Sequence, residues 1–228
     1  ILCALCEKQV SHAFLIGPGM AIESEIKYTV ADPEVFVRIA VLREIASYDV
    51  ADKGIQRHRD TYFDTPGRLL LRSKVVFRLR ERKSGKVLTF KAEAPGGGSF
   101  YRRVEVESAT DTTVADIEAG LLPDLPLVEE LRKWTVASLV SSLTVDNRRR
   151  ILTLSRGCVP RFELALDDVT FTGPRGKARV YELEVESLGW GDEELPSIGT
   201  WLAERFDLAP AGPSKYILGM DLVGMKST

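Results

Sequence analysis

The sequence predicts an α+β fold: a closed barrel of about eight antiparallel strands with a charged lumen and helices packed on its outside. Three observations lead to this prediction. Charged residues occupy alternate positions in most strand-like segments, and the intervening positions are apolar almost throughout. In addition, three or four other segments have the periodicity of amphipathic helices.

The composition is that of a globular protein and excludes several other classes. Hydrophobic residues make up 44% of the 228 residues and charged residues 28%, values that exclude a disordered chain, collagen or a membrane bundle. The formal net charge of −2 lacks the positive excess of a general nucleic-acid-binding protein. No apolar run reaches the length of about 18 residues that a membrane span requires. We therefore expect a cytoplasmic protein with no nucleic-acid or membrane partner; the oligomeric state is unknown at this point.

Residues 1–19 differ from the rest of the chain. They show little periodicity, and their Cys3, Cys6 and His12 lack the second Cys/His pair that a zinc finger needs. The segment Gly17-Pro18-Gly19-Met20 resembles a cloning scar or a misplaced start. We expect residues 1–19 to be disordered or loosely attached, and residues 20–228 to form a single domain.

The N-terminal half is predicted to contain one helix among strands. Period-two alternation predicts a strand over 22–30, and apolar residues at helical spacing predict a helix after Pro33 that includes Val35, Ile39, Leu42 and Ile45. The sequence Tyr62-Phe63-Asp64-Thr65 is expected to end a strand in a turn, and His58 is expected to lie at the surface or to be incidental to function. Further strands are predicted over residues 55–63, 75–82, 87–92 and 101–107.

The C-terminal half is predicted to begin with two helices, over 113–121 and 127–141, before strands resume. A helix over 192–206 follows, with acidic residues in its first turn, where the helix dipole favours them. A last short helix or turn starts at Ser214-Lys215-Tyr216. The strands of this half are predicted over residues 144–154, 160–169 and 179–188.

The charged faces of these strands can be interpreted in two ways. An antiparallel sheet often has one solvated face, which accounts for any single strand here. A solvated face normally mixes Ser, Thr, Asn and Gln with its charged residues. The polar faces of seven strands in this chain instead carry almost only Arg, Lys, Glu and Asp. We therefore predict that these charges line a lumen.

A charged lumen must contain groups that compensate one another, because burying either sign alone is prohibitive. A polyphosphate with divalent cations satisfies both signs. Arg and Lys bind phosphate oxygens, and carboxylates two residues apart on a strand point the same way and can share Mg²⁺ or Mn²⁺. The chain has no P-loop and no glycine-rich dinucleotide turn, so side chains would hold the phosphates.

One motif resembles a known family. Glu23-Ser24-Glu25-Ile26-Lys27 is similar to the ExExK signature of the CYTH, or triphosphate tunnel metalloenzyme, superfamily. The resemblance covers about residues 20–223 and implies a tunnel of eight antiparallel strands that acts on triphosphate compounds with a divalent metal. Other marks follow in the family's order: Tyr62–Thr65, Arg78-Leu79-Arg80, Thr89-Phe90-Lys91, Arg103–Glu107, Arg148–Arg150, Asp167, Glu182–Glu186 and Ser214-Lys215-Tyr216.

The resemblance also implies the roles of individual side chains. Phosphate would be bound by Lys27, Arg78, Arg80, Lys91, Arg103, Arg148 or Arg150, and Lys215. Metal ligands, or acids that orient the basic residues, would be Glu23, Glu25, Glu105, Glu107, Asp167, Glu182, Glu184 and Glu186. Two alternatives stay open: a one-residue shift exchanges which arginine of 148–150 faces inward, and Glu182 can pair with an arginine instead of a metal.

Lys27 and Lys91 have a second possible role. A lysine of lowered pKa, or a second metal, could activate the water that attacks the terminal phosphoryl group. The alternative is that both lysines simply clamp phosphate.

Members of the family have several different activities, and the residues of this sequence do not distinguish between them. Hydrolysis of inorganic triphosphate is the first hypothesis, because it needs no organic pocket. The alternatives are a thiamine triphosphatase, a class IV-type adenylate cyclase, or a non-catalytic polyphosphate- or nucleotide-binding module. A thiamine-binding site requires an aromatic side chain at its mouth to stack on the cationic ring. The candidates are Trp134, Trp190 and Trp201, whose helical spacing is more typical of core residues.

Overall fold

The computed structural model describes residues 20–93, 101–189, 192–212 and 214–224. The expectations for residues 1–19, for the loop beginning at Pro95 and for Trp190 lie outside the described residues. No helix in these ranges is both long and apolar enough to cross a membrane.

One sheet of ten antiparallel strands dominates the fold. Its two longest strands have 17 residues each. The strands are β1 (Met20–Thr29), β2 (Glu44–Ile45), β3 (Tyr48–Asp64), β4 (Val76–Arg82), β5 (Gly85–Glu93), β6 (Tyr101–Thr110), β7 (Val140–Arg156), β8 (Val159–Gly173), β9 (Gly176–Ser187) and β10 (Ala209–Pro210).

Six helices accompany the sheet in the described ranges. Only the fifth reaches 12 residues, so most helical stability must come from packing against the strands. The helices are α1 (Glu34–Ala40), α2 (Leu69–Arg72), α3 (Val114–Glu118), α4 (Pro126–Arg132), α5 (Leu195–Phe206) and α6 (Lys215–Val223).

The strand order is β10-β1-β6-β5-β4-β3-β7-β8-β9, with β2 paired to β3 and an additional pairing between β1 and β9. The first half of β1 pairs with β6, and the second half pairs with β9. The predicted α+β architecture with a large antiparallel sheet is confirmed, but the count of eight strands is wrong. The two additional strands, β2 and β10, have two residues each, too few to show a period in the sequence.

Two helix predictions also require correction. The helix predicted over 127–141 ends at Arg132, and β7 already begins at Val140. The helix after Pro33 ends at Ala40, and its predicted last apolar residue, Ile45, lies in β2. The chain turns after Ile45 through Ala46 and Ser47, both at positive φ, and this tight turn pairs β2 with the start of β3.

The apolar faces of the strands are covered by helices in two clusters. One cluster packs β7, β8 and β9 against α1 and α5; the other packs β4, β5 and β6 against α3 and α4. Charged and apolar residues therefore separate onto opposite faces, as the alternation predicts. Buried members are Ile39, Leu164, Leu183, Ile198 and Leu202 in the first cluster, and Phe77, Leu88, Ile117, Leu127 and Leu131 in the second.

The last helix, α6, is the exception. It packs against Val169 and Phe171 of β8, which lie two and four residues beyond Asp167 and share its face of the strand. α6 thus covers a continuation of the charged face. As a result Lys215, the first residue of α6, reaches the acidic side chains of β8 and β9.

Candidate active site

A cavity of about 230 Å³ lies between the strands and the start of α6. Nearly all of its lining side chains are charged, and carboxylates outnumber cations by seven to six. The cations are Lys27, Arg78, Arg80, Lys91, Arg149 and Lys215. The acids are Glu23, Glu25, Glu105, Glu107, Glu163, Glu184 and Glu186, and the remaining lining residues are Tyr62, Val76 and Ser214.

Strand register positions these side chains. On β1 the charged residues alternate with Ile26, which packs into the core on the other face. Antiparallel pairing sets Lys27 opposite Glu184 and Glu25 opposite Glu186. On the other side of β1, Glu23 lies opposite Arg103 in the backbone register. The side chain of Arg103 lies outside the described part of the chain.

Two cations converge on β8 and β9. The Nζ atom of Lys215 lies 2.9 Å from Asp167 Oδ2 and 3.0 Å from Glu182 Oε2, and it also contacts Glu184. Arg149 donates two hydrogen bonds to Asp167, at 2.7 and 2.6 Å, and a third to Glu184. Asp167 and Glu182 are buried and are not among the lining residues, so they hold the cations from behind.

A second group of contacts fixes the arginines of β4. Arg80 donates to Asp60 at 2.7 and 2.8 Å, and Arg78 donates to the same carboxylate at 3.2 Å. Glu107 accepts a hydrogen bond of 2.7 Å from Thr89. Asp60 was not predicted from the sequence. Its only signal there is its position two residues before Tyr62, on the face that turns inward.

The two lysines of β1 and β5 each bridge two carboxylates. Lys91 Nζ lies 2.7 Å from Glu23 and 3.1 Å from Glu105. Lys27 Nζ lies 2.9 Å from Glu184 and 3.2 Å from Glu25. Burial lowers the pKa of Lys91, but Glu105 and Glu23 raise it above its ordinary value. This is the opposite of the lowered pKa that a water-activating lysine needs.

Several carboxylates of the cavity are incompletely compensated. Burial raises the pKa of Glu105 to about 7, against the attraction of Lys91. The pKa values of Glu25 and Glu186 are raised by burial and by the neighbouring Glu23. Glu23 behaves differently: burial raises its pKa, but Lys91 and Lys27 lower it to about 2. The cavity therefore carries carboxylates that an additional cation would stabilise in their ionised form.

The donor set fits a hard divalent cation, because it consists of carboxylate oxygens in excess over the basic groups. Within the described residues, no three acidic, His or Cys side chains form a ready-made metal cluster. A divalent cation bound here would therefore contact fewer than three of these side chains and would complete its shell with water and phosphate oxygens.

Two predicted phosphate ligands, Arg148 and Arg150, do not reach the cavity. Arg148 is exposed, and Arg150 lies 2.9 Å from Asp52. Arg149 faces inward instead. The apolar pattern could not settle this register, because Leu143 and Leu152 are both buried but face opposite sides. Leu143 packs against α6, whereas Leu152 belongs to the cluster under α1 and α5.

The other predicted residues fall into two groups. Asp167 and Glu182 contact Lys215 from outside the cavity. The cavity contains Lys27, Arg78, Arg80, Lys91, Lys215, Glu23, Glu25, Glu105, Glu107, Glu184 and Glu186.

Sequence reasoning also misjudged His58. Its side chain is buried instead of lying at the surface, with Nε2 4.0 Å from Asp60 Oδ2. Burial and the neighbouring Arg80 lower the pKa of His58 to about 3, so the ring is neutral at pH 7. Glu163, a further lining acid, lies in the strand predicted over 160–169 but is not among the predicted site residues.

The turn after β3 anchors α6. Asp64 is fully buried and accepts hydrogen bonds from the backbone N–H groups of Leu70 and Leu71 and from the hydroxyl of Tyr216. Tyr216 also stacks on Tyr62, with ring centroids 5.1 Å apart. Tyr62–Thr65 therefore does more than turn the chain, because it holds the residue next to Lys215.

We predict that Gly219→Ala displaces α6. A Cβ atom at Gly219 would lie 2.5 Å from Leu143 Cδ2 and 2.6 Å from Phe171 Cδ1, closer than real Cβ atoms approach. Overpacking of this kind typically lowers the free energy of unfolding by about 1–3 kcal/mol. Urea unfolding of the variant measures this loss. Gly212→Ala is the matched control, since no atom lies within 4 Å of its added Cβ. Equal stability of the two variants would contradict the packing of α6.

A pH effect is expected in EDTA. The pKa of Glu105 is raised from 4.5 to about 7 in the folded protein, so its contribution to stability is lost as the pH rises through that interval. Glu105→Gln removes this titration, so the unfolding free energy of the variant minus that of the original protein should increase between pH 4.5 and 8. Titrating groups that do not interact with Glu105 cancel in the difference, whereas Lys91 and Glu23, which shift its pKa, contribute to it. Glu44→Gln at an exposed position of β2 is the control variant, and a flat curve for Glu105→Gln would refute the assignment.

Comparisons with known proteins agree with this geometry. A family model described as the CYTH domain matches residues 21–210. A putative adenylate cyclase from Bacillus halodurans has a similar structure, with 21% identity, a TM-score of 0.66 and coverage of 88% of this chain and 97% of that one. A putative adenylyl cyclase from Hippeastrum, described as having a dominant triphosphatase activity, has 18% identity, a TM-score of 0.67 and coverage of 89% and 97%. No curated protein matches. At these identities the structures show a shared fold.

Proposed function

The chain belongs to the CYTH domain family, and from this premise we propose that it is a divalent-metal-dependent hydrolase of triphosphate compounds, with inorganic triphosphate as the first substrate. One observation carries the proposal: six cations and seven carboxylates line a single cavity of about 230 Å³. Such a density of paired charge costs folding energy, and a bound metal–polyphosphate would offset that cost.

We further propose that the eight long strands enclose the cavity as a tunnel. The pairing of β1 with β6 on one side and with β9 on the other supports this. Inside a tunnel, phosphate oxygens would be reached from several strands at once. Positioning of this kind, together with charge stabilisation, is the main source of catalysis in phosphoryl transfer.

The basic side chains would bind the phosphates. Arg78, Arg80 and Arg149 present guanidinium groups that suit bidentate contact with phosphate oxygens. Their present partners, such as Asp60 and Asp167, hold them in orientation. The lysines Lys27, Lys91 and Lys215 would supply point charges that stabilise the negative charge on the transferred and leaving groups. Arg103 remains a proposed phosphate ligand.

The carboxylates would hold the metal. Glu23, Glu25, Glu105 and Glu186 are the candidates, of which one or two would contact the ion, because they line the cavity and three of them have raised pKa values. Mg²⁺ or Mn²⁺ would neutralise phosphate charge and polarise the phosphoryl group. Glu107, Asp167, Glu182 and Glu184 would orient the basic residues, as their ion pairs suggest.

The lining favours an inorganic substrate over one with an organic group. Its only aromatic and aliphatic members in the described residues are Tyr62 and Val76. Trp134 is not a lining residue, and Trp201 packs near Phe206 outside the cavity. A thiamine ring or a purine would therefore find little stacking surface here.

The test is phosphate release from inorganic triphosphate, thiamine triphosphate and ATP, each with Mg²⁺, Mn²⁺ or EDTA. We expect turnover of inorganic triphosphate with at least one metal and none in EDTA. Formation of cyclic AMP from ATP would establish the cyclase instead. Binding of triphosphate without turnover under every condition would establish a non-catalytic module.

A further inference from the structure

A second cavity, of about 1010 Å³, lies on the outside of the sheet across β3, β4, β7, β8 and β9. We call it the basic groove, because its lining includes Arg57, Arg59, Arg82, Lys83, Arg148 and Arg179. Arg57 and Arg148 occupy positions adjacent to the buried His58 and the cavity-lining Arg149, so they face away from the candidate active site. No described residue lines both cavities, although the groove also includes His58, whose ring lies 4.0 Å from Asp60 behind the active-site arginines.

The cations of the groove exceed its acids. Arg59 donates to Asp146 at 2.8 Å, and Arg179 donates twice to Asp168 at 2.7 Å. Glu81 is the third acid of the lining. The other four cations, Arg57, Arg82, Lys83 and Arg148, are exposed and form no salt bridge with any described acidic side chain. This local excess of positive charge contrasts with the net charge of −2 of the chain.

Two of these cations are placed at a cost to the sheet. Arg57 of β3 lies directly opposite Arg148 of β7 in the antiparallel register. Like charges at directly opposed positions destabilise a pair of strands. On its other side Arg148 lies opposite Asp168 of β8, whose carboxylate accepts two hydrogen bonds from Arg179. An anionic ligand that bridges Arg57 and Arg148 would relieve the repulsion between them.

We propose that the basic groove binds a linear inorganic polyphosphate chain. Arginine binds phosphate oxygens in bidentate fashion, and a polyphosphate repeats that group along a flexible chain. The described lining contains no aliphatic residue and no Phe, Tyr or Trp. It therefore offers no platform for stacking nucleic-acid bases and no apolar anchor for an acidic peptide.

The test compares two doubly substituted proteins that lose the same charge. Arg57→Ala/Arg148→Ala alters the groove, and Arg43→Ala/Arg72→Ala removes two exposed arginines outside its lining. Binding of end-labelled polyphosphate, tens of units long, is followed by fluorescence anisotropy in EDTA with excess inorganic triphosphate. Loss of two charge-assisted contacts should weaken binding by the groove variant at least about tenfold, while the control variant binds like the original protein.

Two further measurements distinguish polyphosphate binding in the groove from a loss of folding or of the active site. Turnover of inorganic triphosphate and the melting temperature should not fall in the groove variant, because the groove is outside the active site and the substitution removes a like-charge pair. Equal polyphosphate affinity in the groove and control variants would overturn the proposal. So would competition by single-stranded RNA, or by polyglutamate, as effective as that by unlabelled polyphosphate, since the groove would then recognise a nucleic acid or an acidic peptide.

Discussion

Lys91→Ala is expected to lower kcat/KM for inorganic triphosphate by about 10²- to 10³-fold, the usual loss when a preorganised electrostatic group is removed. Lys91 lies in the cavity within 3.1 Å of Glu105 and 2.7 Å of Glu23. Its loss removes a positive charge aimed at the phosphates and leaves two carboxylates that repel them. Steady-state kinetics with Mg²⁺ and with Mn²⁺ measure the effect.

The division of this loss between kcat and KM distinguishes the two roles of Lys91. If Lys91 acts in the chemical step, its removal lowers kcat far more than it weakens substrate binding. An unchanged kcat in Lys91→Ala would exclude that role. Lys86→Ala is the matched control on the same strand, because Lys86 donates hydrogen bonds to the backbone oxygens of Asp111 and Thr112 and does not line the cavity. A Lys91→Ala protein as active as the Lys86→Ala protein would contradict the proposed site.

Lys215→Met is expected to reduce the free energy of unfolding by about 3–5 kcal/mol at pH 8, the typical cost of removing one partner from a buried ion pair. The Nζ atom of Lys215 contacts Asp167, Glu182 and Glu184, all of which are buried. Methionine keeps most of the side-chain volume, so the loss measures charge and not packing. Urea unfolding in EDTA measures the free energy.

The destabilisation by Lys215→Met should shrink at low pH. Burial raises the pKa of Asp167, but Arg149 and Lys215 lower it to about 2 in the original protein. Without the lysine, the acids take up protons more readily, and protonation relieves the uncompensated charge as the pH falls towards 5. The exposed Lys177→Met on β9 is the control. A loss below about 1 kcal/mol at pH 8 would show that the buried acids do not depend on Lys215.

Much of the candidate site could be predicted from the sequence, because it lies on strands. Period-two alternation placed Glu23, Glu25 and Lys27 on one face, and these residues line the cavity together. The same argument applies to Arg78 and Arg80, and to Glu184 and Glu186. The resemblance to a family then suggested which ligand such faces would bind.

The register of β7 could not be predicted, because the apolar residues change sides along it. Leu143 is covered by α6 and Leu152 by the cluster under α1 and α5, so hydrophobicity is compatible with either face for the three arginines between them. Asp60 and His58 were missed for a related reason. Their burial depends on residues of β4 and β7 that pair with β3. The sequence around Asp60 and His58 does not indicate which residues those are.

The order of residues along the chain dictated which side chains share a strand face, since alternation is a property of the extended backbone. It also dictated that charge and apolar character would lie on opposite faces of most strands. How the faces meet was decided by folding: Lys215 enters from a helix end, Arg149 faces the cavity, and Arg57 lies opposite Arg148 on the outside. Strand pairing and helix packing depend on contacts between residues far apart in the chain. The pattern of a short segment therefore cannot predict which of these contacts are the most stable.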